Sequence, residues 1–186
     1  MILPVYAYGS PVLKKVAEVI TAEYAGLSQL ISDMFETMWA ADGVGLAAPQ
    51  IGLAIRLFVM DARVYSEEDP ALKDFKKVFI NAHILERTGE EELIQEGCLS
   101  IPNIHEDILR PGRIRIQYLD EDFAEHDEWY EGMVARIIQH EYDHLDGILF
   151  PELLSPLKKR LLKGKLRDIS TGKITVKYRM VFPLKK

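Results

Sequence analysis

The sequence is poor in cysteine and contains no long apolar stretch. Its only cysteine is Cys98, which excludes an internal disulfide and suits a reducing compartment. No apolar run approaches the roughly 18 residues that a membrane span requires, and the amino terminus lacks the basic start and unbroken apolar stretch of a secretory signal. We therefore expect a cytoplasmic protein that does not enter a membrane.

Positive charge is also scarce outside the end of the chain. Residues 151–186 contain 11 Lys/Arg against 2 Asp/Glu, a net charge of +9, which leaves −15 for residues 1–150. An acidic body argues against direct DNA binding. With 186 residues and no repeat or flexible linker, the chain fits one domain. We predict a body over residues 1–150 and a basic C-terminal extension over residues 151–186 of the same domain.

Strands outnumber helices in the hydrophobic pattern. Apolar residues recur at steps of three and four over residues 21–41 and 131–145, which predicts two amphipathic helices. Shorter strand-like runs occupy residues 55–60, 77–80, 93–96 and 113–119, and residues 61–76 resemble an exposed acidic loop. Because the strands do not alternate regularly with helices, this order predicts an α+β fold with mostly antiparallel sheets.

The strongest motif is the HExxH pattern at residues 140–144, inside the second predicted helix. Positions i and i+4 lie about 40° apart around a helix, so the imidazoles of His140 and His144 can reach one metal ion. Glu141 lies about 100° further round than His140, which places it near metal-bound water rather than among the ligands. The pattern therefore predicts Glu141 as a general acid/base.

Two histidines do not complete a catalytic metal site, which usually has three protein ligands and one open position. No histidine follows His144, and the only acids after it are Asp146, Glu152 and Asp168. Cys98 is the alternative third ligand, because it follows a strand-like run and the glycine beside it would let backbone pass close to an ion. A lone cysteine is ordinarily an inert buried residue, but the incomplete HExxH set favours Cys98 as a ligand.

Three sequence blocks together resemble the signature motifs of peptide deformylases: GVGLAAPQ at residues 43–50, EGCLS at 96–100 and QHEYDHLDG at 139–147. Taken alone, the first block is typical of a turn into a strand. The order and spacing of the blocks extend the resemblance from residue 1 to about residue 150. It implies a metallohydrolase catalytic domain, with the HExxH helix at its centre, that removes the formyl group from the N-terminal methionine of newly made polypeptides.

The resemblance also implies the metal site. One divalent metal ion would be held by Cys98, His140 and His144, with Glu141 as the acid/base. The family commonly uses Fe²⁺, and Zn²⁺, Ni²⁺ or Co²⁺ can occupy the site. One thiolate with two imidazoles is compatible with several of these metals, so the sequence does not select among them.

Contacts with the substrate, an N-formylmethionyl nascent peptide, are implied in the same way. The Gln50 amide and the Leu99 backbone N–H would stabilise the oxyanion, and Gly45 would hold the substrate backbone. The candidates for the methionine pocket are Val44, Met133 and Ile137. Family members often have an arginine shortly after the EGCLS block, whereas this chain has His105, which could replace that arginine or be an exposed loop histidine.

The basic extension is predicted to form a solvated helix followed by a closing strand over residues 174–182. Deformylases are thought to dock on the ribosome through their C-terminal region, and phosphate-rich RNA attracts basic surfaces. We therefore expect the ribosome as a partner of this segment.

Two other interpretations of the metal motif stay open. A zinc peptidase would use the same HExxH chemistry on internal peptide bonds. A structural metal site in a binding module would be closed by a fourth protein ligand.

Overall fold

The computed structural model describes residues 1–184 as an α+β fold. The strands are β1 (Val5–Tyr6), β2 (Gly45–Ala47), β3 (Leu57–Asp61), β4 (Lys76–Cys98), β5 (Ile101–Leu119), β6 (Glu125–Glu131) and β7 (Met180–Val181). The helices are α1 (Leu27–Ala40), α2 (Gly132–Leu145) and α3 (Pro156–Ser170). Strands β2 to β6 form one sheet in chain order with every neighbouring pair antiparallel, and β1 pairs with β7 in parallel. The predicted fold class is confirmed.

Helix α2 lies at the centre of the fold. Its apolar residues Ala135, Ile138 and Leu145 are fully buried and belong to one cluster with Phe58 and Ile116 of the sheet. Burial of this kind stabilises a fold by about 25 cal/mol for each Å² of apolar surface removed from water. The predicted helix over residues 131–145 is confirmed to within one residue, and it presents its HExxH residues from a well-packed element.

Helix α1 is shorter than predicted at its beginning. The pattern suggested a start near residue 21, but residues 22–26 form turns and the helix begins at Leu27. Gly26 has a φ of 74°, a left-handed conformation that cannot continue a right-handed helix and that glycine adopts without steric cost. The helix then packs Met34 and Met38 against the sheet and directs the chain into β2.

Strands β4 and β5 form a long hairpin that the sequence pattern only partly revealed. Residues 77–80 and 93–96 were predicted as separate strands, but both belong to β4, and β5 begins at Ile101 rather than near residue 113. Residues 85–93 are exposed and the pairing shifts register at several points. Without a buried face this part of the hairpin has no apolar alternation to detect. The sequence pattern does not predict the edge strand β6 for a similar reason, since none of its residues is buried.

The C-terminal extension packs on the body. Ser155 caps α3 by accepting a hydrogen bond from the Lys158 backbone N–H, and Leu162, Leu166 and Ile169 pack in one cluster with the start of β5. The predicted helix is confirmed, whereas the predicted closing strand is only the two residues of β7. Lys185 and Lys186, also part of the predicted extension, lie outside the described residues. In residues 1–184 no helix is long and apolar enough to cross a membrane.

Candidate active site

Helix α2 and the β4–β5 turn bring the three predicted ligand residues together. Cys98, His140 and His144 each offer one ligand atom, and these atoms lie within 4.8 Å of one another. The two imidazole rings project from successive turns of α2, with centroids 5.1 Å apart and planes nearly perpendicular. Across this group, Cys98 Sγ lies 3.4 Å from His144 Nε2. The mixture of a thiol and two imidazoles suits a transition metal.

The tight turn of the β4–β5 hairpin positions Cys98. Cys98 ends β4 and pairs with Ile101, which begins β5, so only two residues connect the strands. Gln50 approaches from the short 3-10 helix Ala48–Ile51. Its Oε1 accepts a hydrogen bond from the Ala47 backbone N–H at 2.9 Å, which leaves its Nε2 directed at Cys98 Sγ, 3.5 Å away. The amide donor of Gln50 therefore faces the candidate metal centre.

A buried carboxylate orients His140. Glu96 Oε2 lies 2.9 Å from His140 Nδ1, which leaves Nε2 as the nitrogen available to a metal. Glu96 also accepts hydrogen bonds from Arg110 and Arg136, and Arg110 donates a further one to Asp143. Carboxylates of this kind fix the tautomer and orientation of metal-binding histidines.

The electrostatics of this network favour a charged Glu96. Burial would raise the pKa of Glu96, but hydrogen bonds from His140 and Arg110 outweigh it and lower the pKa to about 2. Burial also lowers the pKa of His144 well below its ordinary value, which favours the neutral imidazole that metals bind. Burial would lower the pKa of His140 too, but hydrogen bonds with Cys98 and Glu96 raise it, so a metal would compete with a proton there.

Glu141 is buried against β2 and has an unusual environment for a carboxylate. Its Oε2 has no hydrogen-bond partner among the described residues, and burial raises its pKa to about 7. Gly45 lies so close that a Cβ at this position would be 2.8 Å from Glu141 Cδ. A buried acceptor without a hydrogen-bond partner ordinarily costs free energy. The Glu141 carboxylate is therefore suited to accept a hydrogen bond from a donor that enters the site.

A cleft of about 630 Å³ opens over these residues. Nearly all of the residues predicted from the sequence line it: Val44, Gly45, Gln50, Cys98, Leu99, Met133, Ile137, His140 and Glu141. His144 is buried beneath the cleft and reaches the site through Nε2. His105 also lines the cleft, from strand β5 rather than from a loop, and its ring lies where a Cβ on Gly97 would be.

The comparison with known families settles the identity of this architecture. The family model described as polypeptide deformylase matches residues 2–160. The chain belongs to the polypeptide deformylase family. Polypeptide deformylases are metal-dependent hydrolases of protein biosynthesis that use a single divalent ion and act on the N-formyl group of nascent polypeptides. The resemblance in the three sequence blocks is thereby confirmed.

Individual deformylases agree with this chain over nearly their whole length. The peptide deformylase of Christiangramia forsetii is 53% identical over 98% of this chain and 97% of its own, and that of Cytophaga hutchinsonii is 52% identical over 100% of both. The crystal structure of a peptide deformylase from Legionella pneumophila has a TM-score of 0.81 and 35% identity, and covers 93% of this chain and 98% of its own.

Two parts of the deformylase site were not predicted. The first is the network around Glu96, in which Glu96 and Asp143 lie inside the diagnostic blocks but Arg110 and Arg136 carry no sequence signal. The second is the segment after α3, because residues 175–178 line the cleft. Both depend on contacts between residues far apart in the chain.

Proposed function

We propose that this chain removes the formyl group from the N-terminal methionine of nascent polypeptides by hydrolysis, with Glu141 as general acid/base. The observation that carries the proposal is the Glu141 carboxylate, buried without a partner at Oε2 among the described residues. It follows His140 directly and faces the same cleft as Cys98. A carboxylate in that position can accept a proton from a water molecule in the cleft.

Cys98, His140 and His144 would hold one divalent metal ion, and we expect Fe²⁺, with Zn²⁺, Ni²⁺ or Co²⁺ able to replace it. In the described residues this group has three members, as in catalytic sites that keep an open position, whereas structural zinc sites are closed by four ligands. When bound, the ion lowers the pKa of water towards neutrality and polarises a carbonyl oxygen.

Glu141 would then move one proton twice. It accepts the proton of the attacking water and returns it to the leaving amine when the bond to the formyl carbon breaks. Burial raises the pKa of Glu141, which favours return of the proton to the amine, and a bound cation would lower this pKa, which favours acceptance of the proton from water. The Gln50 amide and the Leu99 backbone N–H would stabilise the oxyanion as donors fixed in advance.

The remaining cleft residues would hold the substrate. Gly45 would contact its backbone, and the apolar side chains of Val44, Met133 and Ile137 would surround the methionine. All four line the cleft beside Glu141. Apolar side chains with few polar groups suit a thioether side chain.

A formate-release assay tests this function. Anaerobically purified protein is expected to release formate from a formyl-Met peptide, and a chelator should abolish the reaction. Cleavage of blocked internal peptide bonds without formate release would contradict the proposal and would indicate a peptidase.

Replacing Gly45 with alanine is expected to lower the rate of formate release by roughly 10-fold to 100-fold, the effect of misplacing a catalytic group by about 1 Å. The added methyl group must displace either the Glu141 carboxylate or strand β2. Gly164→Ala adds the same methyl group where nothing lies within 4 Å, and it should leave the rate unchanged. Equal rates for wild type and Gly45→Ala would show that Glu141 does not need this close packing.

We also propose that the protein acts in the cytoplasm and docks on the ribosome through α3. Helix α3 exposes five basic residues around its buried leucines: Lys159, Arg160, Lys163, Lys165 and Arg167. Lys158 is less available because its Nζ lies 2.7 Å from a Glu106 carboxylate oxygen. Contacts between these exposed basic residues and RNA phosphates would release counterions and weaken with salt.

Charge reversal at Lys159 and Lys163 is expected to reduce co-sedimentation with ribosomes at low salt by about 10-fold or more, since two phosphate contacts are lost. Cleavage of a short formyl-Met peptide should not change. The control is charge reversal at Lys15 and Lys73, two exposed lysines of the acidic body, which changes net charge equally. Equal loss in both double variants would attribute binding to net charge and exclude a docking surface on α3.

A further inference from the structure

The segment after α3 forms one wall of the active-site cleft. We define residues 174–178 as the C-terminal arm. Four of its residues line the cleft, together with the metal-binding turn and strand β5: Thr175, Val176, Lys177 and Tyr178. The arm therefore stands next to any peptide that reaches the Cys98, His140 and His144 cluster.

Contacts at both ends hold the arm in this position. The Tyr178 hydroxyl donates a hydrogen bond of 2.7 Å to the Leu99 carbonyl, directly after Cys98. Asn103 Nδ2 lies 3.5 Å from the Thr175 carbonyl, so the arm runs antiparallel to the beginning of β5. Beyond the arm, the Val5 backbone N–H donates to the Arg179 carbonyl at 2.9 Å and β7 pairs with β1. These contacts make the arm a fixed wall.

Lys177 is the basic residue of the C-terminal arm, and it lines the cleft. It is exposed, and no ion pair involves it within residues 1–184. Lys177 directly precedes Tyr178, so the Cα atoms of these two residues lie about 3.8 Å apart. The Tyr178 hydroxyl contacts Leu99 in the metal-binding turn. Lys177 is therefore a cation without an ion-pair partner in residues 1–184, on the cleft wall that also contacts the metal-binding turn.

The other charges of the cleft do not compensate Lys177. The Glu96 carboxylate is occupied by Arg110, Arg136 and His140. Asp42 and Glu141 are the other acidic residues that line the cleft, and neither forms an ion pair with Lys177 in residues 1–184. The arm side of the cleft is thus the side on which an anionic group would be stabilised.

We propose that Lys177 is a specificity-determining residue that favours substrates with an acidic side chain one or two residues after the formylmethionine. This inference rests on the proposed deformylase function and names a class of substrate within it. An exposed ion pair changes affinity only a few-fold, so the preference should be modest and should weaken as salt screens the charges.

Three amidated peptides that differ at one residue test the preference: formyl-Met-X-Ala-Ser-amide with X as Glu, Gln or Lys. A second series has the variable residue one position later. For the wild type we expect kcat/KM for the Glu peptide to exceed that for the Lys peptide by about 3-fold to 10-fold at low salt in one of the two series. Most of the difference should lie in KM, because an interaction of equal strength in ground and transition states changes binding alone.

Charge reversal at Lys177 tests whether this residue causes the preference for acidic substrates. Lys177→Glu is expected to invert the Glu/Lys ratio and Lys177→Met to bring it near one. Lys173→Glu is the matched control, since Lys173 is exposed on the same segment but does not line the cleft, and its ratio should equal that of the wild type. Wild-type ratios of one in both series, or equal inversion by Lys173→Glu, would overturn the assignment of Lys177. Cleavage of the Gln peptides in that case would leave the deformylase function standing, whereas absence of formate from all peptides would overturn both.

Discussion

Replacing Glu141 with glutamine is expected to lower the rate of formate release by about 100-fold to 10,000-fold, the usual contribution of a general acid/base. Glutamine has nearly the shape of glutamate and should fit the space beside Gly45. Its amide cannot accept the proton of the attacking water. Because Glu141 is not one of the three grouped ligand residues, the variant should keep its metal, which elemental analysis measures.

The control for Glu141→Gln is Glu91→Gln, the same chemical change at an exposed position of β4. It should keep both metal and activity. Near-normal turnover by Glu141→Gln at full metal content would exclude Glu141 as the acid/base. Loss of the metal together with activity would instead assign Glu141 a role in the metal centre itself.

Local patterns in the sequence are sufficient to predict the residues at the centre of the site. The HExxH spacing places His140 and His144 on one face of any helix, and α2 is a helix because its apolar residues repeat with helical period. The HExxH motif lacks a third ligand, which predicts Cys98, and in the structure the three ligand atoms lie within 4.8 Å of one another. Its role as a ligand stays a prediction.

Residues that act through distant contacts were not predictable in this way. Arg110 and Arg136 lie on different elements and meet only because Glu96 is buried between them. Lys177 and Tyr178 reach the cleft because β7 pairs with β1, the first strand of the chain. Neither arrangement produces a periodic pattern or a short motif, so the tertiary structure was needed to find it.

The second large effect is expected for Cys98→Ala, which should lose most of its bound metal and with it most formate release. The substitution removes the only sulfur donor of a three-residue group, and two imidazoles bind a divalent ion more weakly than three ligands do. The fold should persist, because Cys98 is only half-buried at the edge of a cluster formed by residues such as Ile101 and Ile104. A core change of this size costs about 1 kcal/mol, against a total stability of roughly 5–15 kcal/mol.

Metal analysis and circular dichroism, measured on the same preparation of Cys98→Ala, separate a lost ligand from a lost fold. Ser100→Ala is the matched control, because Ser100 lies in the same turn, is fully buried and contacts Gln50, but is not in the ligand group. It should keep its metal. Full metal content in Cys98→Ala would remove Cys98 from the ligand set. A collapse of its circular dichroism signal would show that the cysteine supports the β4–β5 turn. Metal loss with an unchanged spectrum, and retention in Ser100→Ala, is the result that a thiolate ligand requires.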